Sequence, residues 1–106
     1  MPLTRTYRET VVNRLQKDRD FAVAVLEEAL RALLDGEKEL AFSSLRDVLH
    51  ACVSFKTLSE RTGLPEKSLH RMLGPKGNPT TENLGLVLKV LFRKFKKRPK
   101  VELASV

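Results

Sequence analysis

An all-α domain of about six helices is the fold class that the sequence predicts, and three observations predict it. Apolar residues recur at three- and four-residue spacing along most of the chain. Helix-starting and helix-stopping residues punctuate that pattern at regular intervals. The 106 residues, 42% of them hydrophobic, are enough for one core and few for two, so residues 1–106 are expected to form a single domain.

Taken in order, Thr6-Tyr7-Arg8-Glu9 has the spacing of a capping box, which predicts a first helix over Tyr7 to Lys17 with Tyr7, Val11 and Leu15 as its stripe. Asp18 suits the N-cap of a second helix, Arg19 to Asp35, and Gly36 stands where a left-handed residue closes a helix. With Ala22, Val23, Val25, Leu26, Ala29, Leu30, Leu33 and Leu34, this helix has a wider apolar surface than one core-facing stripe needs. A third helix, about Glu37 to Val53, puts Ala41, Leu45, Val48, Leu49 and Cys52 on one face, which makes Cys52 a core residue.

The stretch Ser54 to Leu73 reads as helix, turn, helix. Ser54 is placed to cap the first helix, Leu58 points inward, Ser59 is small where two helices approach, and Gly63 supplies the turn. Leu64, Leu69, Met72 and Leu73 then fill the wedge between the helices. Such offsets also occur in ordinary small helical proteins, so the pattern needs support. It comes from the outward face of the second helix, where Lys67, Ser68 and Arg71 lie beside Glu66 and His70, side-chain types that reach base edges in a major groove. Lys56, at the start of the first helix, joins this set. Pro65 occupies the slot where serine or threonine usually caps a recognition helix.

Gly74-Pro75-Lys76-Gly77-Asn78-Pro79 is too rich in Gly and Pro for helix. Its Lys76 and Asn78, with Thr80, are donors placed for a phosphate backbone, although a plain connector would have the same composition. A last helix opens near Thr80, capped by Asn78 or Thr80, and carries Leu84, Val87, Leu88, Leu91 and Phe95 into the basic run Arg93 to Lys100, with Pro99 as its terminator. Residues 99–106 form a tail, in which Val101 to Val106 alternates apolar and polar and so suits a short strand or a frayed end.

Charge divides the chain. Residues 1–53 hold 8 Lys and Arg against 9 Asp and Glu, a net of −1, whereas residues 54–106 hold 12 against 4, a net of +8. A concentrated positive field favours a polyanion, since each neutralised phosphate releases condensed counterions. No apolar stretch approaches the roughly 20 residues of a membrane span, and MPLTRTYRET has no secretory pattern. The lone Cys52 excludes an internal disulfide and a cysteine metal cluster, so a reducing cytoplasm is the expected setting, with no cofactor and no metal. A small basic nuclease is disfavoured: acids and histidines do not cluster, and His50 and His70 have no partner spacing. His50 is given no role.

Nearly the whole chain resembles the probable addiction-module antidote proteins, HigA-type antitoxins of the Xre/lambda-repressor helix-turn-helix class. The residues that carry the likeness are Tyr7 to Thr10, Leu26 to Ala29, Leu45 to Asp47 and, above all, Lys67-Ser68-Leu69-His70-Arg71-Met72-Leu73-Gly74-Pro75-Lys76-Gly77-Asn78-Pro79-Thr80. The resemblance implies a lambda-repressor-like fold, a homodimer that represses its own operon at a palindromic operator, and a partner toxin of the RelE/ParE superfamily, often HigB-like. The C-terminal run Arg93 to Lys100 is longer and more basic than the family pattern. A stand-alone Xre-type regulator without a toxin would use the same residues.

The division of labour expected from charge gives residues 54–98 to DNA and residues 1–53 to the toxin. Leu26, Glu27, Glu28, Leu30 and Asp35 on the second helix would form the toxin contact, its acids meeting a basic partner. Leu88, Leu91, Phe92 and Phe95 on the last helix, more apolar surface than one small core requires, would form the dimer interface.

Overall fold

A computed structural model describes residues 2–106, with side chains from Tyr7 onward. Six helices follow one another: α1 (Pro2–Lys17), α2 (Arg19–Leu34), α3 (Lys38–Cys52), α4 (Phe55–Thr62), α5 (Glu66–Met72) and α6 (Thr81–Phe95). The fold is all-α, and no strand occurs among the described residues.

Local chemistry explains most boundaries. Asp18 adopts extended backbone and its carboxylate accepts from the Phe21 amide at 3.0 Å, which breaks α1 from α2 and satisfies an orphan donor. Gly36, at φ +82, ends α2: its amide donates to the Leu33 carbonyl and the Glu37 amide to the Ala32 carbonyl, the paired bonds of a Schellman closure. Ser54 caps α4 through the Thr57 amide, Gly63 closes it at φ +77, and Thr80 caps α6 through the Asn83 amide.

Two expectations need correction. The backbone is already helical from Pro2, so Thr6 falls inside α1 and no box caps the helix there; the Thr6 side chain lies outside the described residues. The last helix ends at Phe95, before Pro99 is reached. Lys96 takes the left-handed conformation at φ +54, and the Lys96 and Lys97 amides donate to the Arg93 and Phe92 carbonyls, a Schellman closure made without glycine. For the tail, where a short strand and a frayed end were both open, Val101 to Val106 is exposed and forms no strand; an alternating segment with no neighbouring strand has no ladder to join.

One hydrophobic core draws on all six helices, from Leu15 of α1 through Ala22, Leu45 and Leu58 to Leu69 of α5 and Leu91 of α6. The first three helices pack on one another, α4 packs on α5 and α6, and α3 joins the two groups. Cys52, expected in the core, is only half-buried at its edge, with its Sγ donating to the Leu15 carbonyl at 3.5 Å.

Burial also corrects two site expectations. Leu91 and Phe95 are 0% and 3% exposed, filled in by the chain's own core, so they have no surface to give a second copy; only Leu88 and Phe92 of that group are partly exposed. Leu26, 4% exposed, is likewise a core residue, because α2 packs against both α1 and α3 and spends its inward face on them. The large apolar side chains left exposed on α2 and α3 are Leu34 and Leu40, 81% and 56% exposed, flanking the α2–α3 turn.

Candidate nucleic-acid interface

The three-residue turn Gly63-Leu64-Pro65 sets how α4 and α5 meet, and side-chain hydrogen bonds hold it. Ser59 Oγ donates to the Leu64 carbonyl at 2.6 Å, so the small residue expected for close approach also ties α4 to the turn. Thr62 Oγ1 donates to the Leu58 carbonyl and accepts from the Leu64 amide. Leu58, Leu69 and Leu73 are fully buried in the wedge, while Leu64 and Met72 close its edge half-buried. Pro65 occupies the N-cap of α5 with no side-chain cap; its fixed φ of −61 and extended ψ shape the helix entry instead, and its carbonyl accepts from the Leu69 amide.

This packing leaves one face of α5 open. Glu66, Lys67, His70 and Arg71 are exposed, at the i, i+1, i+4, i+5 spacing of a single helical face. Ser68 departs from expectation: it is half-buried on the flank that turns toward the core. Lys56 is exposed at the start of α4, and Lys76, Asn78 and Thr80 are exposed after α5, with the Thr80 hydroxyl oxygen engaged as the α6 cap. The ion pairs Arg8–Asp47, Arg14–Asp18 and Arg31–Glu28 lie within residues 8–47, and none among the described residues engages Lys56, Lys67, Arg71 or Lys76. The field of Lys56, Lys67, Arg71 and Lys76 is therefore not cancelled by paired carboxylates.

Comparison with family models, curated proteins and solved structures finds no match for this chain.

Two features escaped sequence reasoning. The His70 ring stacks on Phe55, centroids 4.0 Å apart and planes 20° from parallel, which holds the histidine at one edge of the α5 face. His50 and His70, twenty positions apart, also line one cleft of about 610 Å³ together with Arg8 and Asn13 of α1, Arg46 of α3 and Phe55. Spacing along the chain gives no hint of this, because α1, α3 and α5 meet there only through the tertiary fold. Among the described residues no three His, Cys, Asp or Glu side chains gather to hold a metal, and no helix is long and apolar enough to cross a membrane.

The expected partner face is mixed. Glu27, Glu28 and Asp35 are exposed and Leu30 is half-buried, but Glu28 is already paired with Arg31. Burial pushes the Cys52 thiol above its ordinary value, against the opposing effect of the Lys94 ammonium.

Proposed function

We propose that this chain is a cytoplasmic DNA-binding regulator of the antitoxin type, which sets α5 into the major groove of a palindromic operator and binds rather than catalyses. The observation that carries the reading is the open face of α5, where Lys67, His70 and Arg71 stand exposed beside Lys76 and Asn78, in the half of the chain with a net charge of +8. Lys67 and Arg71 would reach base edges, and Lys56, Lys76 and Asn78 would grip flanking phosphates. Two copies would occupy the two half-sites about one helical turn apart, meeting through Leu88 and Phe92. A basic toxin of the RelE/ParE kind would sit on the other half, against Glu27, Glu28 and Asp35, where the net charge is −1.

Gel-shift titration of the parent against its upstream intergenic duplex and against random duplex tests the DNA reading. Arg71→Ala or Lys67→Ala should cost about 1–3 kcal/mol on the operator if the residue reads a base bidentately, and much less on random duplex. Parental binding by both variants on both duplexes sinks the recognition-face assignment. Co-expression with the adjacent reading frame separates an antitoxin, which protects the cell, from a regulator that has no toxin.

A further inference from the structure

The segment between α5 and α6 has no helix of its own, yet α3 fastens it at two points. The Arg46 guanidinium donates to the Leu73 carbonyl at the end of α5, and Lys38 Nζ donates to the Gly77 carbonyl at 2.8 Å. Both cations lie on one side of α3, eight residues or about 12 Å apart along its axis. Between the two anchors, Gly74 and Pro75 line a cleft of about 230 Å³ with Lys38, Phe42 and Arg46. A gap thus separates Gly74 and Pro75 from α3, and the two hydrogen bonds bridge the elements on either side of it. Gly77 itself is buried, and a Cβ there would stand 2.0 Å from the Met72 carbonyl oxygen, so the loop folds tightly back on the end of α5. Its neighbours Lys76 and Asn78 are exposed on either side.

From this geometry we propose that Lys38 and Arg46 are positioning residues for nucleic-acid binding: they fix the Leu73–Thr80 loop so that Lys76 and Asn78 meet the phosphate backbone in a preformed arrangement, without themselves touching DNA. The role rests on the DNA-binding reading above. Each cation is spent on a loop carbonyl, one near the negative end of α5, where a positive donor is also favoured by the helix dipole. A loop held before binding loses little conformational freedom on binding, which is how tethers remote from the ligand raise affinity.

The test pairs Lys38→Met and Arg46→Met with Lys76→Ala, measuring anisotropy of a labelled random-sequence duplex over a salt series. Loss of one phosphate contact lowers the dependence of log K on log salt by about 0.9, or about eightfold in K between about 1 M and about 0.1 M salt. The tether variants should reproduce most of the Lys76→Ala loss and add little to it in combination, since all three act on one loop. Arg46→Lys, which keeps a donor, should recover part of the affinity. Amide exchange of Gly77 and Asn78 should quicken in the tether variants while the amides of α2 stay protected, a readout that general unfolding would not give. Additive losses with a further drop in salt slope would mean that Lys38 and Arg46 contact phosphate directly, which overturns the positioning role alone. Unchanged exchange of the loop amides also overturns it. A parent that fails to bind duplex at all overturns the DNA reading, and this role with it.

Discussion

Leu91 separates core from interface most sharply. It is fully buried about one turn before the end of α6, in a core that it shares with Leu58 of α4 and Leu69 of α5. Leu91→Ala removes buried methyl groups whose place no solvent or partner fills, and leucine-to-alanine changes at such sites cost about 3–5 kcal/mol in transfer and cavity terms. At about 2.1 cal/mol/K of unfolding entropy per residue, a chain of 106 residues shifts its melting point by about 4–5 °C for each kcal/mol. The expected drop is thus roughly 12–22 °C, the same at low and high protein concentration. Leu88→Ala, at a half-buried position one turn earlier, should cost clearly less in a dilute sample. Differential scanning calorimetry at two concentrations, beside sedimentation velocity, measures both. A Leu91→Ala protein that keeps its melting point but loses self-association would refute the burial argument and return Leu91 to an interface.

Further outcomes follow from single positions. Gly77→Ala should be strongly destabilising or shift the loop, because its Cβ would collide with the Met72 carbonyl, whereas Gly85→Ala meets nothing within 4 Å at an exposed position of α6 and should raise the melting point by about 2–4 °C through helix propensity; equal effects in thermal melts would contradict the packing described. Lys96→Gly should stabilise by up to about 1 kcal/mol, since the left-handed closure of α6 is strained for any residue with a Cβ; a lower midpoint in urea would count against that closure. Cys52, whose thiol burial pushes above its ordinary value, should alkylate more slowly in the folded protein than in urea, with the folded rate climbing at higher pH. Because the folded state favours the neutral thiol, its contribution to stability is full below the unfolded pKa and falls as pH rises through the folded one. Equal alkylation profiles in the two states would show that the thiol is not shielded.

Helix number, most helix ends and, Ser68 apart, the residues of the exposed α5 face were legible in the sequence alone, and the reason is range. An N-cap at Asp18, Ser54 or Thr80 satisfies an amide three residues away, and a glycine at Gly36 or Gly63 closes its helix with bonds to carbonyls three to five residues back. Every partner in such motifs lies within the same short window, so residue type and spacing are enough. The periodic stripe works the same way for Leu45, Val48 and Leu49, which a single helix places on one face.

What the tertiary structure decided are the matters that depend on contacts across the chain. An apolar side chain on α6 is core or interface according to whether α4 and its neighbours cover it, and this made Leu91 and Phe95 core while leaving Leu88 and Phe92 partly open. Leu26 moved inward for the same reason, and Leu34 and Leu40 were left outside. The stack of His70 on Phe55, the cleft shared by His50 and His70, and the reach of Lys38 and Arg46 to carbonyls 39 and 27 residues away have no local signature. Periodicity states which way a side chain points from its own helix; only the packed arrangement of helices states what it meets there.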